Sequence, residues 1–309
     1  MEPHVAVKRE LLVRLLDGWL PAALHGTRRA TYLDGYATAG SVAAALGVVA
    51  EFPDLLARRR LGIVLVAAGG DDLGLTADVA SIRREVDTPA GVSLQIVPHA
   101  SGGRLPELEM PAGGPLLGYL DAAGATGVPE PDEVAALVTG ARAQALLALD
   151  RAALAERPEP VEEAVERYRA ALGGIGPAPV AAVELVAADG RAEVLLYRTP
   201  TPRGLEIFKD ALWAVDEYAG VRYRDPRDPG HALLDISLKP HPGPLRRALL
   251  GRLAAGGRTV ADLRQYALAE TVYRAADVVP VLTQMVAAGS VRREPVRGRL
   301  TADAVISLP

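Results

Sequence analysis

The stretch VAAVELVAADGRAEVLLYRT, residues 180–199, decides the fold. Two apolar runs flank a tight AADG turn, so the segment reads as a β-hairpin and not as a strand followed by a crossover. Everything before it follows a different rhythm. Residues 5–24 carry Val5, Leu12, Leu15, Leu16 and Trp19 at helical spacing, an amphipathic helix. Strands and helices then alternate. ATYLDG (30–35) is followed by the helical SVAAALGVVAEF, and the continuous apolar run LGIVLVAA (61–68) suits a parallel strand covered on both faces. The helix LTADVASIRREV, the strand VSLQIVP (92–98) and the strand GPLLGYLDAAG (114–124) come next. PEPDEVAALVTG has the proline-acid start of a helix, ARAQALLALD (141–150) is the fifth strand, and PVEEAVERYRAALGG ends at Gly173-Gly174.

Five alternating units require a parallel sheet, because each return to the same edge needs a crossover helix. The hairpin then adds an antiparallel strand at the sheet edge. This seven-stranded, Rossmann-like α/β pattern resembles the layout of class I S-adenosylmethionine-dependent methyltransferases. Plain flavodoxin-like and dinucleotide folds usually lack the closing hairpin.

Beyond the hairpin, PRGLEIFKDALWAVDEY (202–218) reads as a helix. Residues 221–243 are dense in Pro, Asp and Gly and read as an irregular linker. The tail divides into three short helices and two strands around an Arg-rich turn, a winged-helix pattern. The expected domains are therefore 1–240, Rossmann-like, and 244–309, a small winged-helix domain.

Composition bounds the rest. The 309 residues are 50% hydrophobic and 23% charged, a globular balance. No cysteine is present, which excludes disulfides, thiolate metal sites and a cysteine nucleophile. His4, His25, His231 and His241 show no metal-ligand spacing. No apolar run is long enough for a membrane span, and the N-terminus lacks signal-peptide order, so the expected location is cytoplasmic. The net charge is −4, yet from Gly243 onward ten arginines face five acids, a balance of +5 that leaves −9 on the preceding part. That split points to an anionic partner for the tail.

Several segments together resemble the three-Cys-motif partner (TcmP) family, methyltransferase-like proteins with a winged-helix-like C-terminal domain. HVAVKRELLVRLLDGWL resembles that family's His, Lys and Trp spacing at His4, Lys8 and Trp19; YLDGYATAG resembles its Tyr-Ile-Asp-Gly-Phe-Ala-Gly-Pro-Gly signature. YLDAAG (119–124) stands where the family has Asp-Pro-Phe-Gly, and GLEIFKDALWAVD resembles its Lys-Asp-Ala-Met-Trp helix. The resemblance spans nearly the whole chain. It implies that Asp34, Gly35, Ala37 and Gly40 hold S-adenosylmethionine, with the alternative that the loop is only a tight strand–helix turn started by Ser41.

The chain also departs from the pattern. Thr38-Ala39-Gly40 replaces Gly-Pro-Gly, and a Cβ there takes room from a close-lying ligand. No acid ends the second strand, where one usually meets the ribose; Asp71 and Asp72 follow on the loop, and Asp71 is the candidate replacement. After the third strand stands His99 where an acid often meets the adenine amine. Ser101-Gly102-Gly103-Arg104 is either a phosphate or adenosine cradle or a surface turn.

Asp121, at the carboxyl end of a central strand, is the candidate catalytic base or substrate contact, or else a strand-end cap. Tyr36 is expected at the cleft rim. Lys209 and Trp213 share a helix face and either border the substrate cleft or anchor the helix on the sheet. Arg292, Arg293, Arg297 and Arg299 on the wing would pair with nucleic-acid phosphates. Against base readout, AADVVPVLTQMVAAG has few polar side chains, so a protein partner is the other expectation. Two functions follow: methyl transfer to a nucleic-acid or nucleobase-related substrate, or a catalytically inactive relative serving as a nucleic-acid-binding or protein-partner module.

Overall fold

Five strands laid side by side in one direction form the frame on which the rest of the chain is hung. The computed structural model describes residues 2–99, 105–108, 114–125, 127–174, 179–228 and 230–309. In chain order, helix α1 (Pro3–His25) leads into β1 (Arg29–Ala37), α2 (Ala39–Ala50), the short α3 (Pro53–Leu56), β2 (Arg60–Ala67), α4 (Asp72–Glu85) and β3 (Val92–Val97). Then come β4 (Leu116–Asp121), α5 (Pro131–Leu137), β5 (Ala143–Asp150), the short α6 (Arg151–Ala155), α7 (Val161–Gly173), and the hairpin β6 (Val180–Ala187) and β7 (Ala192–Arg198).

The sheet order through the hairpin is β3-β2-β1-β4-β5-β7-β6. Strands β1 to β5 pair in parallel, and β7 inserts antiparallel beside β5, with Leu147 opposite Leu196. The reversal between β1 and β4 leaves a crevice at their carboxyl ends, the place where open α/β sheets bind ligands. Successive residues feed opposite faces: Tyr32, Leu117 and Leu146 pack under α1, α2 and α8, whereas Leu33, Leu116 and Leu147 pack under α5 and α7. Both faces are covered, which is why these strands read as unbroken apolar runs.

The count of seven strands is corrected to nine. After α8 (Pro202–Trp213), the segment expected to be an irregular linker contributes β8 (Val221–Arg224) and β9 (Leu233–Asp235). They extend the sheet antiparallel from β6, so the hairpin is interior and not an edge. Val221 and Tyr223 are buried while Arg222 is exposed, the period of two that a half-buried strand needs. Asp225, Pro226, Asp228 and Gly230 between the two strands, with Pro240, Pro242 and Gly243 after them, masked this signal.

The remaining residues form α9 (Gly243–Leu253), β10 (Arg258–Thr259), α10 (Val260–Glu270), α11 (Ala275–Ala287), β11 (Arg292–Glu294) and β12 (Val305–Ser307). The three strands make a separate antiparallel sheet in the order β10-β12-β11. Apolar packing is continuous from α1 through β8 to Leu249, Leu263 and Leu282 of the last three helices. No described helix is long and apolar enough to cross a membrane.

Candidate functional site

A cleft of about 1100 Å³ opens at the carboxyl ends of the parallel strands. Tyr36, Thr38, Gly40 and Ser41 line it from the β1–α2 connection, Ala68 and Gly69 from the end of β2, and His99 from the end of β3. Tyr119 and Asp121 come from β4, and the β6–β7 turn closes the far side with Arg191 and Glu193. Helix α1 completes the wall with His4 and Lys8.

The β1 end is the most unusual electrostatically. Asp34 is wholly buried one layer beneath the cleft surface. Its Oδ1 accepts the Tyr36 amide at 3.3 Å, and its Oδ2 has no hydrogen-bond partner. Burial lifts its carboxyl from 3.8 to about 7; Ser41 and the Tyr36 amide pull the other way, and the charge of Asp121 adds to the rise. The Tyr36 hydroxyl and both ring nitrogens of His99 are likewise buried with no partner among the described residues, and the Tyr32 hydroxyl, close enough to Asp34 to pull its carboxyl down, makes no well-formed hydrogen bond. The His99 and Tyr36 rings lie 5.2 Å apart, tilted by 43°. Unpaired polar atoms buried this close together are costly, and such groups mark places where a ligand or water completes the bonding.

Opposite them sits a charged cluster that reading the sequence did not assemble. Lys8, almost fully buried, places Nζ 2.7 Å from Asp121 Oδ1 and 2.8 Å from Glu193 Oε2. Tyr119 donates its hydroxyl to Asp121 Oδ2 at 3.2 Å. His4 Nε2 lies 3.2 Å from the Leu185 carbonyl, tying the same helix to β6. Asp121 thus faces the cleft as expected, but both of its oxygens already accept a hydrogen bond. A signal for Lys8 existed: a lysine one helical turn from Leu12 lies within the apolar stripe of α1. Glu193 had a weaker one, an acid in an otherwise apolar strand directly after a turn.

Neither a protein-family model nor a curated protein sequence matches the chain significantly. Among solved structures it is similar to the O-methyltransferase TomG from Streptomyces achromogenes, involved in tomaymycin synthesis and solved in complex with SAM. That match has 19% identity and a TM-score of 0.36, covering 61% of this chain and 79% of that one. A putative O-methyltransferase from Klebsiella pneumoniae matches at 16% identity and a TM-score of 0.34, covering 61% and 80%. These superpositions are loose, and the description of the fold rests on the strand order itself.

Several expected site residues lie elsewhere. Gly35 and Ala37 are buried and do not line the cleft. A Cβ built on Gly35 would stand 2.1 Å from Leu120 Cδ2, so this glycine serves packing between β1 and β4. Gly35→Ala is therefore expected to cost about 1–3 kcal/mol through overpacking, and in urea unfolding the double variant with Leu120→Ala should lose less than the sum of the two single losses. Gly40 does line the cleft, and a Cβ there would meet only Thr38 Oγ1 at 3.8 Å. Thr38 and Ser41 cap α2 reciprocally: Ser41 donates its amide to Thr38 Oγ1 at 3.2 Å and the Thr38 amide donates to Ser41 Oγ at 3.0 Å. Asp71 does not reach the cleft, because its carboxylate caps α4 by accepting the Gly74 amide at 2.9 Å. The ribose acid is thus not restored from that loop. The Ser101–Arg104 turn lies outside the described residues.

Of the two expected roles for Lys209 and Trp213, bordering the cleft is not met, since neither lines it, and anchoring the helix is. Lys209 Nζ donates to the carbonyls of Thr271 and Tyr273, and Trp213 Nε1 donates to the Val272 carbonyl at 3.0 Å. Burial drives the Lys209 ammonium down to about 7. Their shared helix face anchors α8 to the C-terminal helices. At β11, Arg293 turns inward and donates to the carbonyls of Pro295, Gly298 and Arg299 at 2.8, 2.8 and 3.1 Å. It holds the turn and is not available to a phosphate. Arg292, Arg297 and Arg299 are exposed. Replacing Arg293 with Gln should accelerate proteolysis within 295–300, whereas Arg297→Ala should not, as timed digestion would reveal.

Proposed function

We propose that the cleft binds S-adenosylmethionine and that the chain is a methyltransferase-type protein of the kind its TcmP resemblance implies. The observation carrying this reading is the position of the cleft at the β1/β4 reversal of a sheet whose order runs 3-2-1-4-5-7-6 with β7 reversed. A dinucleotide-binding sheet has a parallel sixth strand at that place.

The residues present fit the group at its methionine end. The buried Asp34 carboxylate lacks a partner on Oδ2, Gly40 leaves the surface open, and the first amides of α2 have no intrahelical acceptor. Thr38, Gly40 and Ser41 would hold the methionine portion, while Ala68, Gly69 and the Tyr36–His99 pair would flank the adenosine. When bound, the group supplies a methyl on a sulfonium centre for transfer to a nucleophile. The chain's own contribution is then positioning. Lys8 fixes Asp121 and Glu193 against α1, and Tyr119 fixes the other oxygen of Asp121, which holds the acceptor side of the cleft in one shape. With both its oxygens engaged, Asp121 acts as an organiser of that wall and not as a free base.

A second reading, binding without turnover, is favoured by one observation: Asp71 caps α4, so only Ala68 and Gly69 face the place a ribose acid usually takes. The domain division at about 240, the winged-helix assignment of α9 to β12, and contact of Arg292, Arg297 and Arg299 with nucleic acid or a partner protein belong to this proposal too. Only Thr283 and Gln284 offer polar side chains on the exposed face of α11, so backbone contact and not base readout suits a nucleic acid.

Ultraviolet cross-linking of labelled S-adenosylmethionine followed by peptide mapping tests the site. The label is expected on peptides carrying Tyr36–Ser41 or His99 and should be suppressed by S-adenosylhomocysteine. Label that this competitor does not suppress, or label confined to other peptides, would remove the proposal.

A further inference from the structure

A second cleft, of about 1090 Å³, lies between the β8–β9 turn and helices α9 and α10, away from the site already described. Its lining carries four arginines and four acids, yet the two sets are not used equally. Every acid is engaged by the protein. Asp225 accepts the Arg227 and Val272 amides at 2.9 and 3.2 Å. Asp228 accepts the Gly230 and Ala232 amides and pairs with Arg247 at 3.0 Å. Asp262 caps α10 through Thr259, and Glu270 pairs with Arg227.

The guanidiniums are left with donors to spare. Arg227 Nη2 and Arg258 Nε are buried with no hydrogen-bond partner, and Arg227 Nε stands 3.7 Å from Asp225 Oδ1, an ion pair too long for a hydrogen bond. Neither Arg252 nor Arg258 forms an ion pair with any described residue, and Arg252 is held over the Tyr266 ring at 5.6 Å from its centroid. Buried cationic donors without acceptors are expensive, and their geometry matches tetrahedral oxyanions. We propose that this cleft is a binding site for a phosphorylated small molecule, with Arg227, Arg252 and Arg258 meeting the phosphate. The apolar walls of Pro244, Ala248 and Leu234 would receive its uncharged part. Because the cleft joins the added β8–β9 pair to α9 and α10, an occupant also braces these elements against one another. The inference does not rest on the reading of the first cleft.

The test is calorimetry and thermal unfolding of the full chain with pyrophosphate, ribose 5-phosphate and ribose at constant ionic strength. Pyrophosphate and ribose 5-phosphate are expected to bind and raise the unfolding temperature, and ribose to do neither. Arg252→Gln, an exposed position whose loss leaves the core intact, should weaken binding roughly tenfold or more; Arg252→Gln with Arg258→Gln should abolish it. Arg264→Gln, exposed on α10 but outside the cleft, should change nothing. No heat with pyrophosphate at millimolar concentration, or binding that survives in Arg252→Gln, would overturn the proposal. Tighter binding of a 5′-phosphorylated oligonucleotide than of either small phosphate would overturn its small-molecule form.

Discussion

Replacing Lys8 with methionine is expected to destabilise the fold by about 3–5 kcal/mol, the usual result of removing one partner from a buried ion pair. Methionine keeps the length of the side chain and removes only the charge. Lys8 is 3% exposed, and its ammonium stands between Asp121 and Glu193. Without it, two largely buried carboxylates face each other across the β4 and β7 ends of the cleft. Burial alone would lower the Lys8 pKa, but the two carboxylates outweigh it and hold the group above 10.5. The sign of the linkage follows. Because the folded value is raised, the contribution is complete below 10.5 and is lost as pH rises through the folded-state value. Urea unfolding at neutral pH would measure the loss against Lys239→Met, an exposed control expected to shift stability by less than about 0.5 kcal/mol. Adding Glu193→Gln to Lys8→Met should return part of the loss, since it removes one of the two stranded charges. Equal stability of Lys8→Met and the control would contradict the role assigned to the cluster.

The second large effect concerns Asp34. Its carboxyl titrates at about 7 in the folded chain against 3.8 in the reference state, chiefly because it is buried. Between those values the folded state keeps a proton that the unfolded state has lost. Stability from this group therefore falls as pH rises from about 4 to about 7 and then levels off, a total of about 4 kcal/mol. Asp34→Asn removes the titration. Its unfolding free energy should match wild type near pH 4 and exceed it increasingly up to pH 8. Parallel pH profiles for the two proteins would show that Asp34 does not carry this charge penalty. A group that costs this much in the free protein is the kind retained when a cationic ligand compensates it.

The alternation of strands and helices, and the hairpin that ends it, were legible because each element repeats with its own period and is bounded by Gly, Pro or acids. The pair β8 and β9 was not. Their strand signal is four and three residues long, and the Asp225–Gly230 turn between them dominates the local composition. Site residues divide in the same way. Gly40, His99 and Asp121, which line the cleft, and Asp34, buried beneath it, lie at or just past strand ends, a placement that local pattern fixes. Tyr119 lies two residues before Asp121 on the same strand, but Lys8 and Glu193 join them only because α1 crosses the sheet to reach the β6–β7 turn, a contact between residues 8 and 193 that no local window contains. Lys209, Trp213 and Arg293 carried the right chemistry for a ligand, and each turned it inward on backbone carbonyls. Their sequence neighbourhood holds nothing that distinguishes a buried anchor from an exposed contact.

Titration calorimetry with S-adenosylmethionine and S-adenosylhomocysteine tests the central claim most directly. Performed near pH 7 in buffers of different ionisation enthalpy, it should give micromolar binding for both ligands. The heat should vary with buffer, because a ligand ammonium near Asp34 draws off its proton, and that variation should vanish in Asp34→Asn. Absence of heat with either ligand at millimolar concentration would contradict the account.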